Sequence, residues 1–314
     1  MGRYILQRLI LLIPLWVAVG VVSFVVVHAT PGDPAATFLG QDALVESKEA
    51  IYRRLGLDKP LHIQFVKWIF GAARGDLGES FFLGRSVAEA LVERLPVTVS
   101  LTLVALPVAV LIGVTLGILA ALRPDSWKDG LTTSVALFGL SVPEFVTGML
   151  VIFLFSVRLR WFPVGGYQPL SEGVGVWLHH LLLPAMSLGL LQTGLIARIT
   201  RASMLQVLDS DYVRTARAKG LRERAVIVKH ALRNAFISVI TVIGLAFTML
   251  LSGAFITETL FQLPGVGSLV VSAVLRRDYP VVQGALLMVS TIVLLVNILV
   301  DIAYSYLNPT IMYS

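Results

Sequence analysis

Long unbroken apolar runs alternate along the chain with shorter polar connectors. Six runs are long enough to cross a bilayer: residues 9–27, 98–122, 131–157, 177–197, 236–255 and 283–300. About 20 apolar residues, rising about 1.5 Å each, cover a hydrocarbon core roughly 30 Å thick. None of the runs shows the residue-by-residue alternation of membrane barrel strands. The pattern therefore predicts an all-α membrane protein with six transmembrane helices. The fourth run opens on His179 and His180 and is continuously apolar only from Leu181, which sets its outer end in the interface. The first run follows Arg3 and Arg8 and ends near Val27-His28-Ala29, as a cleaved leader would. Its apolar part exceeds the roughly 7 to 15 residues of a signal core, and it is read as a retained span.

Two connectors are large. The outer segment, residues 28–97, opens with Pro31-Gly32-Asp33-Pro34, predicts a short helix over 43–55, and carries the turn cluster Gly75-Asp76-Leu77-Gly78. The inner loop, residues 198–234, holds Asp209-Ser210-Asp211 as cap and first-turn residues, a helical stretch from Tyr212 to Lys219, and Gly220 at a left-handed C-cap position. A helix so short is unstable alone in water and needs something to pack on. Ala216 and Gly220, four residues apart, predict a low spot where another protein can approach, flanked by Arg214 and Arg217. A basic loop of this kind also suits lipid headgroups. No internal repeat or low-complexity linker divides residues 1–314, which are read as a single domain.

Composition narrows the function. Hydrophobic residues make up 56% of the 314 and charged residues 14%, against about 25% charged in a soluble domain. Mean hydropathy is +0.84 and the pI about 9.7. The basic surplus, 25 Lys+Arg over 19 Asp+Glu, is concentrated at Arg3, Arg8, Arg123, Lys128 and the 198–234 loop. The short opposite loops hold Arg158, Arg160, Arg276 and Arg277. That asymmetry predicts an inner position for both termini. No nucleic-acid motif accompanies the charge. Cysteine is absent, which removes disulfides, thiolate metal sites and thiol nucleophiles. No GxxxxGK[ST], HExxH or GxSxG motif is present, so no catalytic residue and no metal is expected on this chain. His179 and His180 are adjacent, point to different helix faces and lack a third ligand nearby.

Individual residues stand out against the apolar background. Glu144, beside Pro143 in the third run, is costly in hydrocarbon and is a candidate for the translocation path or for capping backbone freed by the proline. Asp301 reads as an interfacial anchor. Gly113 and Gly117 form a small-xxx-small pair suited to close helix contact. A secondary transporter or channel is the competing class, and it calls for more intramembrane carboxylates than Glu144.

The segment Arg214-Thr215-Ala216-Arg217-Ala218-Lys219-Gly220 resembles the EAA loop of binding-protein-dependent ABC importers, in the version carried by dipeptide, oligopeptide, glutathione and nickel permeases. The resemblance runs along nearly the whole chain. It includes Arg3-Tyr4 with Arg8-Leu9, Pro31-Gly32-Asp33-Pro34, Leu55-Gly56-Leu57-Asp58 with Pro60, Gly75-Asp76-Leu77-Gly78 and Arg94-Leu95-Pro96. It continues through Glu258-Thr259-Leu260-Phe261, Pro264-Gly265-Val266-Gly267 and Arg277-Asp278-Tyr279-Pro280. The chain departs from the general pattern at Arg214, where the loop usually has Glu, and at His230-Ala231-Leu232-Arg233, where it has Ile-x-Leu-Pro. It closes on Asn308-Pro309-Thr310-Ile311 where many relatives have Asp-Pro-Arg-Ile.

The resemblance implies a type I ABC importer permease fold in a bacterial or archaeal cytoplasmic membrane. It implies pairing with a homologous second permease subunit, two ATPase subunits that carry ATP and Mg, and an extracytoplasmic solute-binding protein, with no cofactor on this chain. Asp211, Tyr212, Arg214, Thr215, Ala216, Arg217, Lys219 and Gly220 would form the ATPase-coupling loop. Arg277, Asp278 and Tyr279 would be candidates for contact with the binding protein. The implied cargo is peptide, with glutathione, nickel chelates or oligosaccharides as alternatives.

Overall fold

A computed structural model describes residues 2–29 and 58–307. The expected helix over 43–55, the Pro31-Gly32-Asp33-Pro34 turn and the Asn308-Pro309-Thr310-Ile311 ending lie outside the described residues. Most of the rest is helical, and the only extended pairing among the described residues is an isolated bridge between Glu79 and Ser86. The helices are α1 (Gly2–Ala29), α2 (Leu61–Ala72), α3 (Val87–Leu122), α4 (Trp127–Ser141), α5 (Glu144–Val151), α6 (Val174–Leu208), α7 (Asp211–Ala218), α8 (Glu223–Leu260, π-helical over Val226–Leu232), α9 (Val266–Leu275) and α10 (Tyr279–Leu307). Of these, α1, α3, α6, α8 and α10 are each long and apolar enough to cross a membrane.

The third expected span is drawn differently. It is split into α4 and α5, bent by 109° at the break between them, and it makes a sixth crossing if the pair counts as one. Pro143 explains the break. It has no N–H to donate and disfavours the helical conformation in Val142 before it. Val142 is accordingly extended (φ −93°, ψ 125°), and Pro143 becomes the residue from which α5 starts. Beyond α5, residues Ile152–Arg158 continue as a π-helix.

The chain divides into two compact units, residues 1–97 with 264–295, and residues 98–263 with 296–314. In the first unit, α2 is an amphipathic helix that the span pattern does not reveal. Phe65 and Trp68 gather around Phe24 of α1, with the Phe24 and Phe65 rings 5.4 Å apart. Trp16 of α1 donates to Thr291 Oγ1 of α10 at 3.0 Å. The Gly75-to-Gly78 cluster turns as expected. Both glycines have positive φ (+87° and +86°), and the Gly78 N–H donates to Asp76 Oδ1 at 2.9 Å. The apolar helix α9 is too short to register as a span and is not among the expected elements.

The second unit is built around α6 and α8. Its α3–α6 contact depends on small residues. A side-chain carbon at Gly113 would lie 2.9 Å from Ile196 and from the Thr193 carbonyl, and one at Gly117 would lie 2.6 Å from the Ala197 carbonyl. Hydrogens at these positions let the two backbones approach, the close contact expected of the pair. His179 and His180 both bond to backbone carbonyls, of Trp161 at 2.8 Å and Val176 at 2.9 Å. No group of potential metal ligands forms among the described residues.

Candidate functional site

Two features of the second unit combine polar chemistry with an unusual local fold: the inner loop around α7 and a cavity beside Glu144.

The inner loop is less of a loop than the charge pattern suggests. Helix α6 continues through Leu208 and α8 begins at Glu223, so α7 sits between two helical extensions. Ser210 holds the N-cap position, yet its hydroxyl donates back to the Val207 carbonyl at 2.5 Å and makes no side-chain cap to α7. The C-terminus follows the expected form. Gly220 has φ +72°, its N–H donates to the Arg217 carbonyl at 2.9 Å, and the Leu221 N–H reaches the Ala216 carbonyl at 3.4 Å. That pair of bonds is a Schellman motif, which requires a left-handed residue where Gly220 stands.

The packing partner that so short a helix needs lies in the chain itself. Val213 and Ala216, three residues apart, pack against Val226 with Val207 and Leu208 around them. This corrects one expectation: Ala216 is 6% exposed and is a buried contact, so it forms no open low spot with Gly220. The outward surface is made by Asp211, Tyr212, Arg214, Thr215, Arg217, Ala218, Lys219 and Gly220. Tyr212 accepts a hydrogen bond from Asn234 Nδ2 at 2.8 Å, tying α7 to α8. Arg214 pairs with Asp209 at 2.7 Å, and Arg217 with Glu223 at 2.8 Å. The bonds to Glu223 hold the Arg217 guanidinium even further above neutrality than usual. Apart from its two chain neighbours, nothing among the described residues lies within 4 Å of where a side chain at Gly220 would begin.

Glu144 is the first residue of α5, at the break in the span. Its carboxylate does not cap α5; it accepts a hydrogen bond from the hydroxyl of buried Thr257 in α8. The other oxygen lies 3.2 Å from where a side chain at Gly253 would begin. Beside it opens a cavity of about 300 Å³ lined by residues of α4, α5, α6 and α8, among them Thr147, Ser187, Gln192, Thr248 and Ser252. Ser187 and Gln192 are each 3% exposed, and Ser187 Oγ and Gln192 Oε1 have no hydrogen-bond partner.

Along α8, Thr241, Thr248, Ser252 and Thr259 are separated by seven, four and seven residues and share one face, where Thr241, Ser252 and Thr259 are exposed. At 1.5 Å per residue the row extends roughly 27 Å, close to the thickness of the hydrocarbon core. Thr241, Ser252 and Thr259 bond back to the carbonyl four residues earlier, and Thr248 faces Asn297 at 3.4 Å.

Several polar contacts escape the sequence reading, among them those of Asp129, Glu258 and Gln192, and Asp278 has a partner that the sequence does not announce. Asp129 of α4 is 5% exposed and receives two bonds from Arg201 of α6, at 2.5 and 2.6 Å. Glu258 lies beyond the fifth apolar run but inside α8, fully buried, and accepts from Thr98 Oγ1 at 2.5 Å. Glu144 is thus not the only acid within a membrane helix. Gln192 interrupts an apolar run, a signal that was available without the structure. In the first unit, Asp278 is 3% exposed, and its carboxylate accepts from the Ser80 hydroxyl and from the N–H groups of Phe81 and Phe82, at 3.1 and 3.2 Å for the two amides. It holds a turn of its own unit. Arg277 beside it is exposed, with φ +56°, and Tyr279 is half-buried. Asp301 lies in α10, with its side chain outside the described residues.

A sequence model described as the binding-protein-dependent transport system inner membrane component matches residues 113–313, and its companion for the N-terminal part of such components matches residues 1–102. The chain belongs to this family. Relatives of the same length accompany the match. A Brucella abortus (strain 2308) protein named as a peptide transport system permease is 44% identical over 313 residues, covering 100% of both chains. A Sinorhizobium fredii protein named as a peptide ABC transporter permease and the glutathione transport system permease protein of Escherichia coli (strain K12) are each 42% identical, again over 100% of both chains. A multi-pass helical membrane protein is what this family membership and the long apolar helices agree on.

Proposed function

We propose that this chain is one permease subunit of an ATP-driven importer and forms half of a path for peptides delivered by a solute-binding protein. The observation that carries the reading is identity of 42 to 44% over the full length to permeases named for peptide and glutathione transport. Glutathione, itself a small peptide, is the first alternative cargo, ahead of nickel chelates or oligosaccharides. The chain acts as one permease domain, with residues 28–97 outside, residues 198–234 inside and both termini cytoplasmic. A homologous second permease completes the path. ATP and Mg belong to two ATPase subunits, because this sequence lacks a phosphate-binding loop.

The exposed face of α7, from Asp211 to Gly220, is the surface on which an ATPase subunit seats. Its fixed ends and internal packing support that role, since a contact can transmit displacement only if it does not yield. Glu144 faces the path, and Arg277 with Tyr279 is the part of the outer surface offered to the binding protein. A secondary transporter would work alone. The deciding experiment is therefore reconstitution: the assembled complex in proteoliposomes should import peptide only with ATP and loaded binding protein, and the isolated chain should bind no ATP. Uptake by the isolated chain without ATP would refute the proposal.

A further inference from the structure

The cavity beside Glu144 has a composition that selects for charge. Its lining holds one carboxylate, several hydroxyls and an amide, and no Lys, Arg or His. Two residues of that lining, Ser187 and Gln192, each bury a polar atom, Oγ and Oε1, that has no partner. An unmatched buried polar group costs about 1–3 kcal/mol, so such a pair in one small cavity marks a place where a ligand completes the bonding. The missing group must donate, since the amide oxygen and the carboxylate accept. A cationic donor suits it best, since the carboxylate accepts from the Thr257 hydroxyl and no basic residue in the lining competes for it.

A primary ammonium meets both requirements. Its three N–H donors can be met by the Glu144 carboxylate and, once the side chains shift to admit it, by Gln192 Oε1 and Ser187 Oγ. We infer that this cavity is a transient subsite for the α-ammonium of a peptide passing through the permease. The inference rests on the peptide-importer reading and deepens it by naming the substrate group that the membrane subunit itself recognises. The hydroxyl row on α8 adjoins the cavity through Thr248 and Ser252 and supplies polar contacts for the peptide backbone on either side. Gly253 keeps the carboxylate accessible, because any side chain there would begin 3.2 Å from Glu144 Oε2.

The test uses the complete importer in proteoliposomes with binding protein saturated by a dipeptide or by its N-acetylated form, so that occupancy of the binding protein is equal. The wild type should carry the free-amine dipeptide at least tenfold faster than the acetylated one. Glu144→Gln should bring the two rates to within twofold, by slowing the free amine alone. Gly253→Ala, which leaves the charge in place and crowds it, should narrow the ratio in the same direction. An unchanged ratio in Glu144→Gln, or an equal loss for both peptides, would overturn the subsite and leave Glu144 with a packing role. A wild-type complex that imports neither peptide would instead refute the peptide-importer reading.

Discussion

Arg201 grips Asp129 through two parallel bonds across the α4–α6 contact, with the carboxylate almost fully buried. The pair lies at the end of α4 that adjoins the inner loop, and each member satisfies the other. Removing one leaves the other without its partner; because Arg201 is 30% exposed and partly hydrated, the cost is about 1–3 kcal/mol, whereas replacing both with apolar groups is milder. Asp129→Ala should therefore lower the thermal unfolding midpoint of the detergent-purified protein more than the double variant Asp129→Leu with Arg201→Met. Equal effects would mean that the pair contributes no mutual compensation.

Gly220 offers a separate handle on coupling. Its φ of +72° is strained for a β-branched side chain, by about 1–2 kcal/mol, while the space beside it is empty among the described residues. Gly220→Val should insert and pair with the partner permease, yet lose ATPase subunits or substrate-stimulated hydrolysis. Transport should fall at least tenfold, which is about 1.4 kcal/mol of coupling. Gly220→Asn, which tolerates the left-handed region, should retain more activity. Normal transport by a stably expressed Val variant would remove α7 from the coupling role.

For the outer turn, Asp278→Ala leaves the Ser80 hydroxyl and the Phe81 and Phe82 amides without their shared acceptor. Bonds to a carboxylate contribute about 1.5–3 kcal/mol. Hydrogen exchange at those two amides should accelerate at least tenfold. Arg277→Glu should leave exchange there unchanged and weaken stimulation by the binding protein. The opposite assignment of effects would return Asp278 to the docking surface.

Orientation can be read from single-cysteine variants, since the chain has no cysteine of its own. A thiol at Ser47 or Ser171 should react with an impermeant reagent added to intact cells. One at Ser210 should react only after the membrane is opened. Labelling at Ser210 from outside would invert the proposed topology.

Much of this architecture is legible without coordinates because the bilayer imposes it: the long spans, the Gly113 and Gly117 contact and the left-handed end of α7 all follow from length, residue size and backbone preference. The misses share another cause. Helices α2 and α9 are too short to register as spans, so only their packing defines them. The pairing of Asp129 with Arg201 joins residues 72 apart in sequence, and nothing local to either announces the other. Ala216 was misread because a small residue suits an internal contact as well as an external one, and only Val226, brought back by the start of α8, decides between them. Pro143 was visible, but the 109° bend it introduces between α4 and α5 depends on what each half packs against.

The same α8 that carries Val226 at its foot carries Thr257 near its other end, where it meets Glu144. Those residues are about 45 Å apart along the helix axis, with π-helical turns over Val226–Leu232 at the foot, so one continuous helix joins α7 to Glu144. A tilt of about 5° over that length carries the far end roughly 4 Å, more than the reach of a hydrogen bond. On the proposed coupling, a push on α7 that tilted α8 this far would part Thr257 from Glu144, and a peptide held at that end would feel an event at the opposite face of the membrane.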